Sequence, residues 1–298
     1  MDFAFATRRR RNLFKTDGWK RFRKNRLALF GLAVIVLMVL MAVFAPFIVS
    51  HDPYESIKNA AGIIMKNKSP ADSGTLLGTD SLGRDVFSRM LYAARISMSV
   101  GLVAVGISTA VGILLGSLAG YFGGWVDTLI MRLVDVVYCF PVLFLVIIIS
   151  TVLKPSIYNV MLVIGLCNWT GTARFVRGEI LRVRELDFVT ASVSLGAKDS
   201  HVILSHILPN VMAPILVEAT LQMAHAILTE AALSYLGVGV QMPTASWGNM
   251  LFGANNLSTL TLRPWQWMPP GICILMAVLS INFIGDGLRD AFDARQKK

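Results

Sequence analysis

The sequence predicts an all-α integral membrane protein with six transmembrane helices and both termini on the cytoplasmic side. Three observations predict it. Of 298 residues, 55% are hydrophobic and only 15% charged, where an ordinary soluble domain carries about 25% charge. Asp, Glu, Lys and Arg are absent from Leu27–Ser50, Ile96–Val126, Val136–Leu153, Pro155–Ala173, Ala231–Leu262 and Pro264–Gly285, and several of these stretches reach the roughly 20 apolar residues that span a bilayer as a helix. Most of the 28 Lys and Arg fall on segments that an inside N-terminus places on the cytoplasmic face, where such residues are retained. A soluble enzyme is disfavoured. The net charge of +10 is explained by membrane orientation and calls for no nucleic acid, since the basic residues concentrate beside hydrophobic spans.

Six helices are expected near 27–49, 96–120, 130–153, 156–173, 210–237 and 266–286. A basic cytoplasmic tail, 1–26, precedes them. Its run Arg8–Arg11 faintly resembles a twin-arginine export signal, but the apolar segment after it is too long and lacks a small-residue cleavage site, so a retained anchor is expected. The tail also suits anionic lipid. The first helix and an extracytoplasmic loop occupy 27–95, and a five-helix core 96–298, with a second outer loop near 238–265 and an inner loop at 174–209. In the second helix, Gly112, Gly116 and Gly120 recur every four residues and offer a face for close helix packing, within the chain or against a partner. Asn159, Asn168, Trp169 and Thr170 dilute the fourth span. Cys139, Cys167 and Cys273 lack paired or metal-ligand spacing and read as small buried hydrophobes; no metal site is expected.

The inner loop is too polar for the membrane and too patterned for a linker. Arg174, Arg177, Leu181 and Arg184 recur at helical spacing, extending the fourth helix outward. A short helix then runs from Asp187 through Thr190, Ala191 and Ser192 to a stop at Gly196, followed by Ala197. Asp199 or Ser200 caps a further helix that ends near Pro209.

Thr190-Ala191-Ser192, Gly196 and Ile207-Leu208-Pro209 resemble the EAA loop of importer permeases of the ATP-binding cassette class, with Thr190, Ser192 and His206 departing from its consensus. Further segments resemble the C-type permeases of dipeptide and oligopeptide importers: Leu77-Gly78-Thr79-Asp80-Ser81-Leu82-Gly83-Arg84-Asp85, Leu233-Ser234-Tyr235-Leu236-Gly237, Pro243-Thr244-Ala245-Ser246-Trp247-Gly248 and Asn282-Phe283-Ile284-Gly285-Asp286-Gly287. The resemblance implies a type I importer permease fold in a bacterial inner membrane. It also implies a homologous B-type permease, two ATPase subunits holding ATP and Mg, and an extracytoplasmic solute-binding protein. The loop residues Asp187 to Ala197, with Leu208 and Pro209, would then couple to an ATPase, and this chain itself would hold no cofactor. No Gly-rich Lys-Ser/Thr phosphate loop is present, and no catalytic residue is expected. Similar permeases also carry nickel chelates, glutathione or oligosaccharides.

Glu218, Gln222, His225 and Thr229 share one face of the fifth helix. They read either as a pathway lining or as interhelical hydrogen bonding. Glu230, off that stripe, suits a gate or docking contact. Arg84, Asp85, Arg89 and Arg95 suit holding the outer loop better than meeting a binding protein. Trp265 and Trp267 fit an interfacial belt, and Asp286 with Arg289 an intrahelical pair. Two rival functions are a proton-coupled carrier using Glu218, His225 and Glu230, and a serine hydrolase pairing Ser108 with His225.

Overall fold

The computed structural model describes residues 17–153 and 156–292. The basic run Arg8–Arg11, Lys154 and the last Lys and Arg residues lie outside the described residues. Helix α1 (Asp17–Phe22) leads to α2 (Arg26–Val43), which starts where the Asn25 side chain accepts from the amides of Leu27 and Ala28, a side-chain cap that satisfies the free N–H groups of a first turn. Leu29, Phe30, Val36, Leu37, Val39 and Leu40 are exposed along α2. Lipid is the solvent that makes such a surface stable.

The second helix, α3 (Val86–Phe122), starts ten residues before the expected 96. Asp85 accepts from the amides of Phe87 and Ser88, and the added turns carry Arg95, whose Nη2 donates to the Val43 carbonyl at 2.9 Å. That guanidinium satisfies a carbonyl left over at the end of α2. The third expected span, 130–153, is not one straight helix. It is α4 (Gly124–Tyr138) and α5 (Val142–Val152), bent by 82° at the break. Pro141, the residue before α5, lacks an N–H and disfavours helix in the residue preceding it. Cys139, expected to be buried, is exposed at this break, whereas Cys167 is buried.

Helix α6 (Ile157–Arg184) carries the fourth apolar stretch straight into its basic extension. Helix α7 (Asp187–Ser194) follows. The next helix does not end near Pro209: α8 runs through Asp199–Tyr235, and its Val202–Ile207 turn is π-helical. A wider turn there absorbs the missing N–H and ring bulk of Pro209. The outer segment after α8 folds into α9 (Trp247–Leu251) and α10 (Leu257–Leu262) before α11 (Pro264–Phe292). Four helices, α2, α3, α8 and α11, are long and apolar enough to cross a membrane, or five spans if α4 and α5 count as one. Among the described residues there is no strand, only two isolated bridges in the outer loop.

Three cores stack along the helices. The outer one joins Met38, Ala94, Met98, Trp247 and Ile274; the middle one Val100, Ala104, Ile164, Ala226 and Leu233; the inner one Val176, Ile180, Val189, Val202, Ile207 and Ile215. The glycine face of α3 packs within the chain, against α6. A Cβ on Gly116 would lie 2.6 Å from the Ala173 carbonyl oxygen, and one on Gly120 3.0 Å from that of Arg177. Gly112 likewise abuts Thr172. Asp286 and Arg289 form no ion pair among the described residues; instead Asn25 Nδ2 donates to Asp290 Oδ2 at 3.2 Å, tying the start of α2 to α11.

Candidate functional site

The end of the bundle formed by the 174–209 segment carries a protruding helix held from behind. Val189 of α7 is buried with Val183, Val202 and Ile207, which fixes the helix to the ends of α6 and α8. Its outer side is bare: Asp187, Thr190 and Ala191 are exposed, and so are Val193 at 51% and Leu195 at 88%. Gly196 has φ +79°, a left-handed conformation that costs a residue with a Cβ. The Gly196 amide donates to Val193 and the Ala197 amide to Ser192, closing the helix end. Ala197 and Leu208 pack on the inner core, while Pro209 is exposed in the first turn after the π segment.

Partners that sequence reasoning missed, Asp127, Asp135 and Tyr121, brace this knob through the basic residues of α6. Arg177 reaches both carboxylate oxygens of Asp127, its Nη2 donating at 2.6 Å, and Arg174 pairs with Asp135. Arg184 Nη1 donates to the carbonyls of Gly120 and Tyr121 at 3.1 and 3.0 Å, while Tyr121 donates its hydroxyl to Asp199 Oδ1 at 2.7 Å. The basic residues of α6 thus bind α3 and α4. Two parallel bonds between a guanidinium and a carboxylate fix orientation as well as distance. Asp127 and Asp135 stand eight residues apart, both reachable from one helix face; that spacing was the signal available in the sequence.

Deeper in the bundle, Gln222 of α8 ties three helices together. Its Nε2 donates to Thr172 Oγ1 at 2.9 Å and to Glu218 Oε1 at 3.2 Å, and its Oε1 accepts from Ser108 Oγ at 3.3 Å. Beside it opens a cavity of about 320 Å³ lined by Gln222, His225 and Thr229 together with Ser108, Asn168 and Tyr138. Three of the four stripe residues therefore face one space, and Glu218 lies outside its lining. Ser108 bonds Val105 and Gln222, not His225, so the pairing that a serine hydrolase needs is not formed.

Glu230 stands apart from that cavity. Fully buried, it accepts from Ser97 Oγ at 2.9 Å and from Ser234 Oγ at 2.7 Å. Ser97 in turn accepts from the Trp247 amide at 3.1 Å and Ser234 from the Val240 amide at 3.0 Å. The carboxylate thereby fastens α3, α8 and the outer segment to one another. Arg84 is likewise structural: its Nε donates to Asp80 Oδ2 at 2.8 Å, while Arg89 Nη1 donates to the Pro53 carbonyl at 3.1 Å.

Residues 112–298 match the family described as binding-protein-dependent transport system inner membrane component, and residues 14–70 match the N-terminal transmembrane domain of oligopeptide transport permease C. The oligopeptide transport system permease protein OppC of Bacillus subtilis is 40% identical over 282 residues, 95% of this chain and 90% of its own length. The di/tripeptide transport system permease protein DppC of Pseudomonas aeruginosa is 41% identical over 282 residues, covering 94% and 91%. The dipeptide transport system permease protein DppC of Alkalihalophilus pseudofirmus is 40% identical over 282 residues, covering 94% and 90%. An exposed apolar belt, helices long enough to span, and this extent of similarity converge: the chain is an inner-membrane protein and belongs to the binding-protein-dependent transport system inner membrane components, in their permease C branch.

Proposed function

We propose that this chain is one permease subunit of an ATP-driven importer of di- and oligopeptides, supplying half of the translocation pathway. In this reading it spans the membrane six times with both termini inside; α6 and the bent α4–α5 pair supply the spans beyond the four long apolar helices. The observation that carries the proposal is α7. It presents the bare side chains of Ala191 and Val193 on a short rigid helix anchored to two long ones, with Leu195 bare at its end. Such a surface suits a groove on an ATPase subunit, and any push on it is delivered to α6 and α8. ATP and Mg belong to those partner subunits, with a homologous B-type permease completing the pathway and an extracytoplasmic binding protein delivering solute.

Alternating access then requires two arrangements of the bundle, one favoured by the ATP-bound partners. The stripe of Gln222, His225 and Thr229 lines the solute side of this half, and the peptide substrate is supported by the peptide permeases named above. The test is Gly196→Glu, with Ala191→Glu beside it. Both are expected to abolish peptide uptake and ATPase recovery while membrane insertion stays normal, because the former strains a left-handed position and the latter puts charge on the docking face. Normal uptake with normal ATPase recovery in both variants would overturn the assignment, as would labelling of Lys198 from outside intact cells.

A further inference from the structure

At the opposite end of the molecule, the outer loop and the segment between α8 and α11 enclose a cavity of about 650 Å³, within the size range of small-ligand pockets. Its charge is unbalanced. Arg84, Arg89 and Arg263 line it against a single carboxylate, Asp80. Asp80 is already engaged by Arg84, which approaches Oδ2 at 2.8 Å through Nε and at 2.7 Å through Nη2. Arg89 is only 3% exposed, yet it reaches that same oxygen no closer than 3.7 Å and makes one hydrogen bond, to Pro53. The Arg263 side chain makes no hydrogen bond or ion pair with any described residue. A buried guanidinium is costly unless paired; Arg89 is buried and Arg263 half-buried, and neither has a carboxylate of its own.

We infer that this outer cavity is a carboxylate-binding site, taking the C-terminal carboxylate of a small peptide through Arg89 and Arg263. The remaining walls fit such a ligand. Asn255 offers an amide group to a peptide unit, and Met242 and Met250 offer apolar surface to a side chain. Planar guanidinium groups match a carboxylate with two parallel bonds. The inference rests on the peptide-importer reading and narrows it to solutes with a free carboxyl end, held on the outer side before they enter the bundle.

The test uses the full chain with the partner subunits it co-purifies, in nanodiscs of phosphatidylcholine, without the binding protein. Binding of dialanine is compared with that of its C-terminal amide by calorimetry. The acid is expected to bind at least about tenfold more tightly, the scale of a hydrogen bond between charged groups. Arg263→Gln is expected to remove that preference and Arg263→Lys to restore part of it, with unchanged thermal midpoints. Equal binding of acid and amide overturns the inference, as does a preference that survives Arg263→Gln. Loss of the preference when phosphatidylglycerol is added, or on addition of inorganic phosphate alone, assigns the site to phosphate groups and also overturns it. ATP hydrolysis in the same sample separates the two readings: hydrolysis without acid preference sinks this site alone, whereas failure to retain any ATPase sinks the importer reading.

Discussion

Glu230 offers the sharpest test of how the outer half is held. Glu230→Ala leaves the hydroxyls of Ser97 and Ser234 without their acceptor inside a fully buried site. Each stranded hydroxyl costs about 1–3 kcal/mol, and the vacated volume adds a cavity cost. We expect a loss of about 4 kcal/mol for Glu230→Ala and about 1 kcal/mol for Glu230→Gln, whose amide oxygen still accepts one hydroxyl. The measurement is denaturant-induced unfolding in mixed micelles followed by tryptophan fluorescence. Trp247 is a suitable reporter, because its amide donates to Ser97 and its indole nitrogen to the Met90 carbonyl at 3.2 Å. The reasoning is refuted if Glu230→Ala unfolds with wild-type stability, or if Gln is as damaging as Ala. The same pair of variants judges the proton-coupled rival. A relay through Glu230 predicts that Glu230→Gln abolishes uptake at unchanged stability; a fastening role predicts that uptake persists.

Gly116→Leu should separate α3 from α6, since even a Cβ there meets the Ala173 carbonyl oxygen at 2.6 Å. Gly116→Ala should cost about 1–3 kcal/mol by overpacking. Gly106→Ala, where nothing lies within 4 Å, should be neutral, and thermal midpoints in detergent compare the three. Asp85→Ala should cost about 2 kcal/mol, by losing the cap of α3 and stranding the Ser88 hydroxyl that Asp85 now accepts. Asp85→Asn should retain most of that stability, read from the same melting curves.

The spans were legible because lipid imposes a one-dimensional rule: apolar runs such as Leu27–Ser50 and Pro264–Gly285 must be helices whatever they pack against. Local chemistry was legible for the same kind of reason. The Gly196 stop depends on its own backbone. The break at Pro141 was visible as a proline, but hydropathy averages across it, and an 82° turn is set by what α4 and α5 pack against. Continuity through Pro209 was misread because proline marks a boundary only when no wider turn accommodates it. Within the stripe, helical periodicity put Gln222, His225 and Thr229 on one face, but it was silent on Thr172 and Ser108, which hold Gln222 from other helices.

By itself the sequence determined that this chain lives in a membrane, roughly where its apolar helices run, and that a short helix closed by Gly196 lies between the fourth and fifth apolar stretches. Only the tertiary structure decided that the α3 glycines meet α6, that Glu230 accepts a hydrogen bond from Ser97 of another helix, and that Arg89 and Arg263, 174 positions apart, share one cavity. The physical reason is range. Solvent preference and backbone conformation act on each residue where it stands, while packing partners and charge balance exist only after distant segments have been brought together.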